Sequence, residues 1–253
     1  MTVELTVVGS INLDFVVRVD RFPRPGETVT ARDFTRFPGG KGANQAVAAS
    51  RLGAKVKIVG AVGDDELAAE ALSGLRAAGV ELDVERKGQT GVALIYVDSA
   101  GENEIAVFQG ANAELTPRAV EGAVVCQLEI PDAVVLAAAA SAEFFVLNAA
   151  PARVLDLEPD LLVVNELERE VFSRGKLVAV THGAEGATLF EGGREVARAA
   201  APRVEVVDAT GAGDAFTAAL VVSLLEGLGR QEALERACAV GAEAATRVGA
   251  QWI

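Results

Sequence analysis

The sequence predicts an α/β fold: a doubly wound, mainly parallel sheet with helices on both faces, together with a small antiparallel β lid. Short, continuous apolar runs alternate with helix-like segments, which is typical of parallel strands buried on both faces. Two segments interrupt this rhythm with alternating apolar and polar residues. The chain has 253 residues, 51% of them hydrophobic, and we expect residues 1–253 to form one large domain of this class.

The strands and helices are predicted in chain order. The apolar runs that we assign to parallel strands cover residues 5–9, 56–63, 123–129, 144–150, 161–166 and 177–183. Helix-like segments follow the Gly-Gly turn at 39–40, occupy 166–174, and follow the glycine-rich stretch that ends at Phe216. The spacing of the runs by helical stretches, rather than any single run, predicts the parallel sheet.

The two exceptional segments, at about 15–37 and 91–109, are predicted to be antiparallel strands that stand off the main sheet. Both combine alternation with turn signals, and the second predicts a hairpin around residues 99–103. In an α/β enzyme such an excursion often forms a lid that excludes water. A sheet extension or a contact between subunits explains the same pattern.

Charge and cysteine content restrict the possible partners and the compartment. The formal net charge of −13 argues against a nucleic acid or an anionic membrane as partner. Cys126 and Cys238 lie in apolar runs, as buried thiols of a reducing cytoplasm do. The longest apolar run, 133–142, is too short to span a bilayer, and no targeting segment is visible. We therefore expect a cytoplasmic protein.

The stretch "DATGAGDAF", residues 208–216, contains an anion site and a carboxylate side by side. Gly211, Ala212 and Gly213 would present backbone amides at a helix N-terminus, which can bind an anion without a cationic side chain. Asp214 lies in the same first turn, where an acid is often present only because the helix dipole favours it. Phosphoryl transfer to an alcohol requires the same pair, a base beside amides that hold the transferring oxygens.

A second glycine-rich turn opens the helix at residues 39–53, "GGKGANQAVAASRLG". It matches neither a P-loop nor a dinucleotide-binding pattern. The turn would let backbone amides and the side chains of Lys41 and Asn44 approach a small polar ligand. Close packing of the helix entry would require glycines equally well.

Further acidic and amide side chains follow predicted strands, at the sheet edge where open α/β folds bind ligands. Asp14 comes after the first run, and Asn165 and Glu168 come after the run at 161–164. Oxygen ligands of this kind suit Mg²⁺ held through water and phosphates. A place on a surface helix also explains Glu168. The single histidine, His182, excludes a histidine-rich metal site, and no G-x-S-x-G elbow accompanies it.

Taken together, these motifs resemble the ribokinase branch of the PfkB carbohydrate kinase family over nearly the whole chain. The matching segments occur in the family's order: "GSINLD", "PGETV", "GGKGANQAVAASRLG", "GDD", "TGVALIYVDSAGEN", "GAN", "QLEIP", "LNAAPAR", "VVNELE", "THGAEG", "DATGAGDAF" and "TRVGAQ". The resemblance implies an ATP-dependent kinase that phosphorylates the primary hydroxyl of a furanose, ribose first among candidates, to give ribose 5-phosphate.

The resemblance also implies a role for each matching residue. The sugar would be held by Asn12, Asp14, Gly39, Gly40, Lys41, Asn44 and Glu129, with Asp214 as general base and Gly211, Ala212 and Gly213 as anion hole. The nucleotide would contact Asn165, Glu168, Thr181, Gly183, Gly186 and Gly213, and Glu168 would bind Mg²⁺ through water. An activating K⁺ would be bound by Asp208, Thr210, Ala245, Val248 and Ala250. Because the lid pairs between subunits in relatives, a homodimer is expected.

Two departures from the family pattern leave alternatives open. The segment between Glu168 and Thr181 is shorter than usual, and "GAQWI" ends where relatives continue past a residue that helps to close the cation and adenine sites. These departures bear on the K⁺ requirement and on nucleotide affinity. The alternatives are another kinase of the family, acting on deoxyribose, a nucleoside or a keto-sugar, and a catalytically weak sugar-binding protein.

Overall fold

The computed structural model describes residues 2–251, so Met1, Trp252 and Ile253 lie outside it. Its strands are β1 (Glu4–Val8), β2 (Asn12–Arg18), β3 (Asp33–Gly39), β4 (Lys55–Val62), β5 (Glu81–Arg86), β6 (Gly91–Val97), β7 (Asn103–Phe108), β8 (Ala123–Gln127), β9 (Phe144–Asn148), β10 (Leu161–Asn165), β11 (Leu177–Thr181), β12 (Ala187–Glu191) and β13 (Arg194–Ala199). Its helices are α1 (Lys41–Arg51), α2 (Leu67–Ala71), α3 (Ser73–Ala77), α4 (Asp132–Ser141), α5 (Glu166–Val171), α6 (Ala212–Leu225) and α7 (Arg230–Ala244).

The main sheet has the strand order β13-β12-β11-β10-β9-β8-β1-β4-β5. The strands from β11 to β5 are parallel, and β12 and β13 extend one edge as antiparallel strands. The chain runs outward in one direction through β1, β4 and β5, and in the other from β8 onward. The order therefore reverses between β1 and β8, and in open α/β sheets ligands bind at the carboxyl ends of strands beside such a switch point.

The six predicted parallel strands are confirmed, and three further strands were missed. The strand β5 alternates charged and apolar residues because it is a half-exposed edge strand. The strands β12 and β13 flank Gly192 and Gly193, a two-residue hairpin signal that the sequence analysis did not use. The run predicted at 123–129 is a strand only to Gln127, so Glu129 lies in the loop beyond it.

Each face of the main sheet packs on its own apolar cluster. In β8, Val125 belongs to the cluster that contains residues of α1, α6 and α7, whereas Val124 and Cys126 belong to the cluster under α4. This alternation follows from the period of two along a strand. Both cysteines are buried free thiols, as the sequence predicted. Within residues 2–251, no helix is both long enough and apolar enough to span a bilayer.

The predicted lid is a separate four-stranded sheet with the order β3-β2-β6-β7. The outer pairs are antiparallel, and the central pair, β2 with β6, is parallel. A hydrogen bond from the amide of Asp98 to the carbonyl of Glu102, 3.0 Å, closes the predicted hairpin. The lid begins at Asn12, directly after β1, so its base lies at the switch point of the main sheet.

Candidate active site

The loops after β1 and β8 meet at the switch point, as the strand order requires. The hydroxyl of Ser10 donates a hydrogen bond to Oε2 of Glu129 at 2.5 Å, and the backbone amide of Lys41 donates to the same oxygen at 3.3 Å. Residues more than 80 positions apart along the chain are thereby joined. Glu129, predicted to contact a sugar, lies beside the N-terminus of α1.

The glycine pair before α1 is needed for close approach. Gly40 has φ of +89°, which favours glycine, and it caps α1. A Cβ on Gly39 would lie 2.1 Å from Oδ2 of Asp14, so only glycine lets this carboxylate pack against the turn. The sequence left two explanations for these glycines, close packing of the helix entry and close approach of a ligand. Both apply to the same turn.

Asp14 is a buried carboxyl group with an unusual titration. Burial, together with the nearby carboxylates of Glu129 and Asp214, raises its pKa to about 7. The ammonium group of Lys41 acts in the opposite direction. A group that titrates near neutral pH in a cleft indicates a functional site.

Asp214 lies in the first turn of α6 and is clamped by two side-chain amides of α1. Nδ2 of Asn44 donates to its Oδ2 at 3.0 Å, and Nε2 of Gln45 donates to its Oδ1 at 2.9 Å. Asp214 is only 7% exposed. Both oxygens accept hydrogen bonds from another helix, so the residue is more than an acid favoured by the helix dipole.

A polar cavity of about 250 Å³ lies above this carboxylate. Lys41, Asp214, Asn165, Glu168, Thr181, Gly211 and Gly213 are among its lining residues. Burial lowers the pKa of Lys41, but surrounding carboxylates, Asp214 foremost, outweigh it and raise this pKa above its usual value. The cation that residues 208–216 lack is thus supplied by α1.

The three residues of the predicted anion hole have different surroundings. The amide of Ala212 donates to the carbonyl of Ala209 at 3.2 Å. Gly211 and Gly213, by contrast, line the polar cavity. Anion binding by these three residues stays a prediction, and the two glycines are the ones that reach the polar cavity.

A larger cavity of about 490 Å³, mostly apolar, adjoins the first. It shares Thr181 and Gly213 with the polar cavity, and Gly183, Gly186 and Phe216 also line it. Such a pair of cavities suits a ligand with a charged part and a flat apolar part. The residues predicted to contact the nucleotide at the end of β11, after it, and at the start of α6 therefore line one cavity.

Asn165 and Glu168 also have a structural role. Oδ1 of Asn165 accepts from the amide of Glu168, and Oε2 of Glu168 accepts from the amide of Asn165, each at 2.8 Å. This capping box begins α5. Both residues line the polar cavity as well, so the surface-helix explanation of Glu168 and the ligand explanation are compatible.

The predicted cation loop connects the start of α6 to the end of α7. The carboxylate of Asp208 accepts from the amide of Thr210 at 2.9 Å and from that of Gly249 at 3.0 Å. The carbonyl of Ala245 accepts from the amides of Val207 and Asp208. Asp208, Thr210 and Ala250 line a cavity under the inner face of the lid.

A comparison with known protein families identifies the family to which a chain with this site belongs. The model of the pfkB family carbohydrate kinases matches residues 3–158 and 161–252. The chain belongs to this family.

Individual members of the pfkB family are also similar to this kinase. A ribokinase from Bacillus subtilis is 37% identical over 278 residues, which cover 98% of this chain and 94% of the relative. The crystal structure of a ribokinase from Thermotoga maritima has a TM-score of 0.86 and 32% identity, over 99% of this chain and 95% of that one. A ribokinase from Arabidopsis thaliana, complexed with ribose and ATP, has a TM-score of 0.83 and 30% identity over the same shares.

Sequence reasoning missed several side chains that build the site of this pfkB kinase. Gln45 and Gln127 form buried hydrogen bonds behind Asp214, and Asn148, which accepts from Gln45, also lines the polar cavity. Only Gln45 had a usable signal, because it follows Asn44 in the first turn of α1. The others act through contacts between segments far apart in sequence.

Proposed function

We propose that this pfkB kinase transfers the γ-phosphoryl group of ATP to the 5-hydroxyl of D-ribose, giving ribose 5-phosphate, and that the whole chain forms one catalytic domain. The observation that carries the proposal is Asp214, a carboxylate at a helix N-terminus that accepts from two side-chain amides and lines the polar cavity with Gly211 and Gly213. The similarity to ribokinases over 98% of the chain supports ribose as the sugar.

In the proposed reaction Asp214 is the general base. Its carboxylate accepts the proton of the sugar hydroxyl as that oxygen forms a bond to the γ-phosphorus, while the bond to the β-phosphate oxygen breaks and ADP leaves. The amides of Gly211 and Gly213 hold the oxygens of the transferring group. Lys41, which lines the same cavity, adds a positive charge where negative charge accumulates.

The polar residues around the base are proposed to orient the sugar. Asp14 and Glu129 present acceptor atoms at the switch point, and Asn12, Lys41 and Asn44 complete the set with the turn at Gly39 and Gly40. Several acceptors suit a ligand with several hydroxyl groups, each of which donates. The inner face of the lid lies over this region and would exclude water, which otherwise competes as phosphoryl acceptor.

Two cations fit the residues present. Glu168 lines the polar cavity with its side chain and could hold Mg²⁺ through water; when bound, this ion neutralises charge on the phosphates. The proposed K⁺ set consists of oxygen donors: the carboxylate of Asp208 with backbone carbonyls of Thr210, Val248 and Ala250. The carbonyl of Ala245, which belongs to the same expected set, already accepts from two backbone amides. The hydrogen bonds of Asp208 tie this set to the loop that precedes the anion hole.

We further propose a homodimer, paired through the lid, in a reducing cytoplasm. The outer face of the lid exposes Phe34, Leu94, Tyr96 and Phe108. These residues share one face because Phe34 pairs with Val17, which in turn pairs with Tyr96. An apolar patch of this kind is typical of an interface between proteins. The two free thiols suit the cytoplasm.

A coupled assay of ADP release over a sugar panel, with and without K⁺, tests the proposed function. We expect ribose to have the highest kcat/KM among ribose, deoxyribose, a keto-sugar and a nucleoside. In Asp214→Asn, kcat should fall by a factor on the order of 10² to 10⁴, since a positioned base is lost. Undiminished turnover in this variant would exclude Asp214 as base, and a better nucleoside substrate would exclude ribose. Titration calorimetry that detects ribose binding without ATP binding would instead indicate a sugar-binding protein.

A further inference from the structure

Each oxygen of Asp214 is the end of a buried chain of side-chain amides. On one side, Nε2 of Gln251 donates to Oδ1 of Asn44 at 3.1 Å, and Asn44 donates to Oδ2 of Asp214. On the other, Nε2 of Gln127 donates to Oε1 of Gln45 at 2.7 Å, and Gln45 donates to Oδ1 of Asp214. We call these the Gln251 relay and the Gln127 relay.

The direction of both relays is set at their centre. A carboxylate only accepts hydrogen bonds, so Asn44 and Gln45 must each turn an NH₂ group towards Asp214. Their carbonyl oxygens then point away and need a donor, because a buried carbonyl without one is costly. The NH₂ groups of Gln251 and Gln127 supply that donor.

Two glycines pack against the outer ends of the relays. A Cβ on Gly9 would lie 2.0 Å from Oε1 of Gln127, and a Cβ on Gly74 would lie 1.8 Å from Oε1 of Gln251. Both of these carbonyl oxygens are buried without a hydrogen-bond partner among the described residues. Each outer glutamine therefore packs its carbonyl against a glycine and directs its NH₂ group inward.

The Gln127 relay is the more enclosed of the two. Gln127 is 0% exposed and Gln45 is 1% exposed. The NH₂ group of Gln45 also donates to Oδ1 of Asn148 at 3.0 Å, and Asn148 in turn donates to the carbonyl of Val163 at 3.1 Å. This anchor joins the relay to β9 and β10, so Gln45 has one amide orientation that satisfies all its neighbours.

We infer that Gln127 and Gln251 are positioning residues, which act through Gln45 and Asn44 to hold the Asp214 carboxylate in the orientation that meets the sugar hydroxyl. The inference builds on the proposed function, since it assigns Asp214 as base. Neither glutamine lines the polar cavity above Asp214. Their contribution is to the rate of the chemical step and not to substrate contact.

A double-mutant cycle tests the Gln127 relay. Gln127→Met keeps the length of the side chain and removes the donor, and we expect kcat for ribose to fall about tenfold or more, as small displacements of a base do, with ribose Kd changed less than about twofold. In a Gln45→Met background the same substitution should lower kcat no further, because the relay is already cut. Ser223→Ala is the control, because it also removes a buried polar group but lies on α6 outside both relays, and it should leave kcat unchanged.

The Gln251 relay provides a second, independent variant. Gln251→Met should lower kcat and also weaken ribose binding, since Asn44 is proposed to touch the sugar. Multiplicative effects of Gln127→Met and Gln45→Met on kcat would overturn the inference, as would an unchanged kcat in both glutamine variants. If wild-type protein phosphorylates another sugar of the panel instead, ribose is wrong as substrate and the same cycle is measured with that sugar.

A readout without turnover separates failure of the relays from failure of the proposed function. In ¹⁵N-labelled protein, Asp214→Ala should shift the side-chain amide resonances of Gln127 and Gln251, although neither contacts Asp214. The amide of Asn112, buried in a different set of hydrogen bonds with Ile11 and Asn12, is the control and should move less. Unmoved glutamine resonances in a folded Asp214→Ala protein would contradict the inference whatever the wild-type substrate.

Discussion

At the scale of single residues, the site gives two similar acids different environments. Asp214 accepts from two amides, whereas Asp14 packs against Gly39 and lies among other carboxylates. Burial, with Glu129 and Asp214 nearby, raises the pKa of Asp14 to about 7. Asp14 is thus the group whose charge changes near neutral pH in the absence of sugar.

Ribose binding should depend on pH through Asp14. In the proposed complex the ionised carboxylate of Asp14 accepts hydrogen bonds from sugar hydroxyls. Below about pH 7 this carboxylate binds a proton, which the sugar must displace. We expect ribose Kd to rise as pH falls below about 7, approaching tenfold per pH unit, and to level off above it. Calorimetry between pH 5 and 8.5 measures this. Asp14→Asn should bind ribose more weakly and without this pH dependence; a wild-type Kd that is constant from pH 5.5 to 8 would contradict the assignment.

At the scale of elements, the N-termini of α1 and α6 form the site together. The two helices pack on the same face of the sheet, and α1 provides Lys41, Asn44 and Gln45 while α6 provides Asp214. A third N-terminus, that of α5, faces the same cavity through its capping box. Three helix N-termini therefore surround the proposed position of the phosphates, and side chains of α1 add further hydrogen-bond donors.

A substitution of Glu168 can separate the structural role of the capping box from its proposed role in binding the magnesium nucleotide. Glutamine also serves at this position of a capping box, so Glu168→Gln should change the free energy of unfolding by less than about 0.5 kcal/mol. The loss of charge should raise KM for the magnesium nucleotide by about fivefold, roughly 1 kcal/mol. Chemical denaturation and steady-state kinetics measure the two effects. Glu166→Gln, the neighbouring exposed acid, is the control; equal effects of both substitutions on KM would contradict a specific role for Glu168.

At the scale of the whole molecule, the lid connects the proposed sugar site to its own exposed apolar outer face. Asn12 and Asp14 begin the strand β2, and near the other end of this strand Val17 pairs with the exposed residues Phe34 and Tyr96. The lid's inner face and the Asp208 loop enclose a cavity of about 480 Å³. A contact on the outer face would therefore stiffen the sheet that carries Asn12 and Asp14, which are proposed to bind the sugar.

If the lid forms the dimer interface, one charged side chain on its outer face should weaken the dimer. Leu94→Asp buries a carboxylate in the apolar interface and should raise the dimer dissociation constant by about 100-fold or more. Analytical ultracentrifugation measures this, and ribose KM should rise with it. Leu136→Asp, at an exposed apolar position of α4, is the matched control. A wild-type protein that sediments as a monomer at micromolar concentration would exclude the proposed dimer.

The sequence by itself predicted the features that depend on neighbours along the chain. The continuous apolar runs predicted six parallel strands, and the turn signals predicted the lid hairpin around residues 99–103. The edge strand β5 was missed because a half-exposed strand alternates like many surface segments. The resemblance of motifs such as "DATGAGDAF" predicted the family, which the comparisons confirm.

Only the tertiary structure decided which of those residues meet. The order of strands, with its reversal between β1 and β8, brings Ser10 to Glu129 and places the site at that edge. Gln127 and Gln251 lie 82 and 207 positions from their hydrogen-bond partners, Gln45 and Asn44. A local pattern reports burial and backbone conformation over a few residues, whereas the direction of a buried amide depends on partners that distant segments contribute.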